Sequence, residues 1–133
     1  MSPGPIASNA VSAKADDPLE QQLRALRREY LADSVERVAE LRQVRARLAD
    51  GERAALAEMR QSFHRLAGSG GSYGFPLVSS NSREGERLVE KLIAGGTAPE
   101  TADCDALDAC IDRIAAAFDE ARRQLDGDGA ATT

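Results

Sequence analysis

From Pro18 onward the apolar residues of this chain recur with a helical period. Leu19, Leu23, Leu26 and Tyr30, then Val35, Val38, Leu41, Val44 and Leu48, run without proline or glycine until Gly51. The pattern predicts one long amphipathic helix. Asp50-Gly51 supplies its stop, because glycine accepts the left-handed conformation at a helix C-terminus, and Glu52 puts a negative charge at the positive end of the next helix. The second predicted helix carries Leu56, Met59, Phe63, Leu66, Gly70 and Tyr73 at alternating spacings of three and four and ends near Gly74. A third starts at Pro76, suited to a first helical position, and runs through Leu77, Leu88, Val89, Leu92 and Ile93 to Gly95-Gly96. Its middle, Ser79 to Gly85, is weakly helical. Thr97 with Glu100 reads as a capping box ahead of the cleanest stripe of the chain: Cys104, Leu107, Ile111, Ile114, Phe118, Ala121 and Leu125, fraying after Asp126-Gly127.

Four amphipathic helices joined by short turns, with no alternating strand pattern, predict an all-α, antiparallel, up-down-up-down four-helix bundle over residues 18–127. Residues 1–17, with Pro3 and Pro5 among Gly, Ser, Asn and Ala, are expected to form a disordered leader, lacking both the apolar and the basic region of a signal peptide. Residues 128–133 are expected to be a disordered tail. No repeat suggests a solenoid.

A length of 133 residues with 42% hydrophobic content builds one core but not two, which excludes a multi-domain enzyme. The net charge of -5, with Lys and Arg scattered among Glu and Asp, leaves no basic stripe to follow a phosphate backbone, so nucleic acid is not an expected partner. No apolar run approaches the roughly 18 to 20 residues that cross a bilayer, so no membrane association is expected and the chain should be soluble. Cys104 and Cys110 stand six apart on the last helix, roughly 9 Å along its axis at about 1.5 Å per residue, too far to bridge. Cys104 joins the apolar stripe and Cys110 flanks it, so both read as reduced, buried hydrophobes, in keeping with a cytoplasmic location.

The chemistry centres on the single histidine, His64. At about 100° per residue it lies roughly 130° from the centre of the second helix's apolar stripe and should face solvent. Ala67, Gly68 and Gly71, three, four and seven places along, share its face, and Arg60 stands one turn before. Each glycine inside a helix costs about 1 kcal/mol relative to alanine, so Gly68, Gly70 and Gly71 together cost on the order of 2 to 3 kcal/mol. Gly70 falls in the stripe and permits close helix packing. Gly68 and Gly71 point outward and clear room for another macromolecule to press against the ring; the rival reading is that they only fray the helix end. An exposed imidazole titrates near about pH 6.5, so much of it is neutral at cytoplasmic pH, with a nucleophilic lone pair. No Ser, Cys or carboxylate constellation beside it makes a hydrolase, and no further ligands at usable spacing make a metal site. What remains is covalent acceptance of a group delivered by a partner.

At these residues the chain resembles the histidine-containing phosphotransfer (HPt) domain. That family's signature is a histidine followed by leucine at the second place, lysine at the third, glycine at the fourth, small residues next, and glycine at the tenth. Here it reads His64, Leu66, Ala67, Gly68, Ser69-Gly70-Gly71 and Gly74, with the close match running from about Arg60 to Leu92. The resemblance implies that the distal ring nitrogen of His64 accepts a phosphoryl group from a receiver-domain aspartate and passes it to another receiver. It implies a phosphorelay carrier without kinase activity of its own and without nucleotide, metal or other cofactor, Mg²⁺ being the receiver's. The implied partners are response-regulator receivers and a hybrid sensor kinase, and the chain should be a monomer.

One position departs from the pattern. Ala67 stands where the family commonly has lysine, so the phosphoryl oxygens lose a cation. Arg60, one turn earlier, is the expected substitute, with Arg65 pointing off to the side and Gln61 placed to hydrogen-bond phosphate or orient the ring. Receiver selectivity is expected in exposed side chains around His64 on the second and third helices, Arg83 and Arg87 included. The alternative is a non-catalytic helical adaptor, whose mark would be a missing histidine or a bulky residue at Gly68. A sensor-kinase phosphoacceptor segment usually has an acidic residue directly after its histidine, where this chain has Arg65.

Overall fold

The computed structural model describes residues 17–131, which form four helices and no strand: α1, Pro18–Ala49; α2, Ala55–Ser72; α3, Pro76–Gly95; and α4, Thr101–Ala131. The expected leader lies outside the described residues except for Asp17, as do residues 132 and 133 of the expected tail. Asp17 is no part of a loose segment. Its carboxylate accepts a 3.0 Å hydrogen bond from the Leu19 N–H and caps α1, with Pro18 in the first turn.

Glycine sets the three turns. Gly51, Gly74 and Gly96 have φ of 85°, 85° and 70°, and each follows the end of a helix. Gly127 does not act this way. It stays helical and α4 continues to Ala131, past the stop expected at Asp126-Gly127, because extending a formed helix by a residue is far easier than nucleating one. The capping box expected from Thr97 and Glu100 is also displaced by one turn. Asp103 reaches back to the Glu100 N–H at 2.8 Å, and the Glu100 carbonyl accepts from the Cys104 N–H, so the helix starts at Thr101.

The core is one cluster. Leu31 and Leu41 of α1, Leu56, Met59, Phe63 and Leu66 of α2, Val78 and Val89 of α3, and Leu107, Ile111, Ile114 and Phe118 of α4 are buried together. Each helix packs on its neighbours in sequence, and α4 closes onto α1. The first turns of α1 take no part in this core: Leu19, Leu23 and Leu26 are exposed although they continue its stripe. The last residues of α2 meet α1 at Arg27, whose Nε donates to the Tyr73 carbonyl at 3.1 Å, so the turns before Arg27 run past their partner. The cysteines exchange the places expected of them. Cys110 is fully buried, its Sγ donating to the Asn81 carbonyl at 3.1 Å and its thiol pushed up by burial, while Cys104 is half-buried; both are free.

The most extensive helix contact is between α2 and α3, and it runs through the stretch that propensity marks as weak. Ser79 to Gly85 is continuous helix. A β-carbon on Gly70 would lie 2.8 Å from Val78 Cγ1 and 3.1 Å from the Ser79 backbone nitrogen, and one on Gly85 would lie 2.5 Å from Phe63 Cε1. The Ser79 hydroxyl donates to the Ala67 carbonyl at 2.8 Å. Small residues on both helices let their backbones approach, and the loss in helix propensity is offset by dispersion contacts and this hydrogen bond. Among the described residues no helix is long and apolar enough to cross a membrane.

Candidate functional site

Two adjacent pairs of residues build the site. On α2 Phe63 points inward and His64 outward; on α3 Gly85 points inward and Glu86 stands beside it. The Phe63 ring against bare Gly85 sets the separation of the helices, and that separation brings the next residues together: His64 Nδ1 lies 2.9 Å from Glu86 Oε2. The His64 side chain is 74% exposed while that of Glu86 is 20% exposed, so the carboxylate is largely covered and the ring is presented to solvent.

An ionised carboxylate can only accept a hydrogen bond, so the proton of a neutral His64 sits on Nδ1. Nε2 then carries the lone pair. The contact thus fixes both the tautomer and the ring orientation.

Grooves flank the His64–Glu86 pair. On one side the wall is Ala67 and Gly68 of α2 with Arg83, Glu86, Arg87 and Glu90 of α3. The other is lined by Ala57, Arg60 and Gln61 together with Glu86 and Glu90. Gly68 is exposed, and a β-carbon there would meet nothing within 4 Å. Gly71 is also exposed but borders α3, where a β-carbon would stand 3.5 Å from Ser79 Oγ. Arg60 and Gln61 are exposed along their groove, and Arg65 lies away from the ring in a separate hollow with Arg37, Glu40, Ser62 and Leu66.

Two expectations from the sequence do not hold at this site. Ala67 does not stand out on the solvent face with His64; it is 5% exposed and packs toward α3. And a carboxylate does stand beside the histidine, delivered from α3 across 22 residues of sequence. Residue spacing within α2 could not reveal Glu86. The available signal was the polar face of α3, where Arg83, Glu86, Arg87 and Glu90 follow at helical spacing.

The chain matches the family model of the Hpt domain over residues 25–117. It belongs to that family. Hpt domains carry out phosphotransfer in two-component signalling and interact with receiver domains. In this Hpt domain the matched span contains both grooves and the whole α2–α3 contact, and it begins after Leu19 and Leu23. No curated protein and no solved structure matches the chain.

Proposed function

We propose that this Hpt domain is a phosphorelay intermediary, in which His64 takes a phosphoryl group from the aspartyl phosphate of one receiver domain and returns it to the aspartate of another. The observation that carries the reading is the 2.9 Å contact of Nδ1 with Glu86 on a ring otherwise open to solvent. In the forward step the Nε2 lone pair forms a P–N bond as the P–O bond to the receiver's aspartate breaks. The carboxylate leaves with the bonding electrons, and the phosphohistidine retains the Nδ1 proton as an imidazolium. Glu86 accepts from that proton throughout and offsets the positive charge that develops on the ring, so reversal needs no proton transfer. Mg²⁺ held by the receiver supplies charge neutralisation at the aspartate. The domain itself contributes no nucleotide, no metal and no kinase activity.

Gly68 gives the receiver access beside the ring, Gly71 widens that access toward α3, and Arg60 and Gln61 form the rim on the other side. Contacts between chain-distant ends support the antiparallel up-down-up-down topology: Arg27 with Tyr73, Arg53 with the Leu92 and Ile93 carbonyls, Arg45 with Asp108, and Arg122 with the Leu31 carbonyl. A bundle that closes its own core in this way functions as a monomer, in the cytoplasm where receivers work. Transfer of radiolabelled phosphoryl from a phosphorylated receiver to His64 is the test.

Two variants probe the parts. Glu86→Gln keeps a hydrogen-bond acceptor for Nδ1–H but removes the charge, and should slow transfer a few-fold; Glu86→Ala, which also frees the ring, should slow it by about tenfold or more. Equal rates for Glu86→Ala and wild type in a rapid-quench assay would remove Glu86 from the mechanism. Gly68→Ala should move stability and function in opposite directions. With nothing within 4 Å of the new methyl, alanine stabilises the helix by about 0.5–1 kcal/mol, yet the methyl stands where a receiver must approach. A higher melting temperature together with slower transfer is the expected pair of results.

A further inference from the structure

The cation that the family's common pattern places three residues after the histidine is absent at Ala67, and the structure offers two ways to replace it. Arg60 lies in the groove that it shares with Glu86 and Glu90, so a single guanidinium faces two carboxylates there. On the opposite side, in the groove whose wall includes Ala67, the same two carboxylates are met by Arg83 and Arg87. These arginines stand one helical turn apart on one face of α3, and both are exposed. Among the described residues Arg60, Arg83 and Arg87 form no ion pair or side-chain hydrogen bond, whereas Arg27, Arg42, Arg45, Arg47, Arg113, Arg122 and Arg123 all have carboxylate partners. The groove beside Ala67 therefore holds two uncommitted guanidiniums and the opposite groove one.

We infer that Arg83 and Arg87 bind the phosphoryl oxygens on His64, supplying from the third helix the charge missing at Ala67. The inference rests on His64 being the acceptor. The small Ala67 side chain leaves the groove open between the ring and α3. A guanidinium offers paired donors that match two oxygens of a phosphoryl group, and a long arginine side chain reaches across a groove that a shorter residue on α2 would fill from its own helix. Glu86 and Glu90 border both grooves, so the balance is two guanidiniums to two carboxylates beside Arg83 and Arg87 but one to two beside Arg60.

The experiment uses potassium phosphoramidate as donor, which requires no receiver, and follows P–N bond formation on the full chain by phosphorus NMR, with His64→Gln as the control that assigns the signal. The Arg83→Ala/Arg87→Ala variant should phosphorylate about tenfold more slowly than wild type, and Arg60→Ala much less so. Arg83→Lys/Arg87→Lys, which keeps both charges at exposed positions, should retain most of the rate, a rescue that a merely structural role for the arginines would not produce. Circular dichroism melts verify that each variant is folded. A double alanine variant as fast as wild type, or a double lysine variant as slow as the alanine one, overturns the inference while His64 remains the acceptor. Absence of a His64-dependent signal in the wild type overturns the acceptor reading and this inference with it.

Discussion

His64→Gln is expected to lose all acid-labile, base-stable label when wild type and variant are incubated with a radiolabelled phospho-receiver and Mg²⁺. Glutamine is close to histidine in reach, and its amide can still donate to Glu86, so the local packing and the hydrogen bond survive. What disappears is the nitrogen lone pair, and the chain has no second histidine to take its place. Because the side chain is 74% exposed, the substitution should change stability by no more than about 0.5 kcal/mol, so lost label reads as lost chemistry rather than lost fold. Label persisting on His64→Gln would move the acceptor to another residue. Label on neither protein with several receivers, while both remain helical, would leave the non-catalytic adaptor as the better account of this surface.

The parts of this molecule that depend on local rules are legible in its sequence. Asp50-Gly51, Gly74 and Gly95-Gly96 mark the turns because a left-handed residue after a helix is a local requirement that glycine meets best. The exposure of His64 follows from angles along one helix. What depends on two helices at once is not legible in this way. Ser79 to Gly85 reads as weak helix because propensity records what those residues lose within α3 and omits what they gain against α2. Ala67 is rotated by only roughly 60° from His64, and that is enough to bring it under α3. Glu86 reaches the ring only because the Phe63–Gly85 contact fixes the register of two helices, a register set by shape rather than by spacing. The exposed Leu19, Leu23 and Leu26 make the same point in reverse: a stripe shows that a helix can bury a face, and the length of its neighbour decides how much of it is buried.

That register makes Gly85→Ala a destabilising substitution, against the direction that helix propensity alone predicts. Alanine should stabilise the interior of α3 by about 1 kcal/mol. Its β-carbon, however, would lie 2.5, 2.6 and 2.6 Å from three atoms of the Phe63 ring, far inside van der Waals contact. Phe63 is fully buried, and a close-packed core gives its ring no vacant rotamer, so the helices must separate. Overpacking of this kind costs about 1–3 kcal/mol, and separation also loosens Val78 and Ser79 from Gly70; set against the propensity gain of about 1 kcal/mol, the net change should be destabilising by about 1–2 kcal/mol. Thermal unfolding should fall by several degrees. Since the same separation holds His64 Nδ1 2.9 Å from Glu86, phosphotransfer should slow as well, although no group at the site has been touched. Phe63→Leu in the same chain removes the ring atoms that clash, so the double variant should be more stable than the sum of the two single changes predicts. A Gly85→Ala protein that melts at or above the wild-type temperature would show that α2 and α3 do not rely on this contact, and the register that presents His64 to Glu86 would then need another origin.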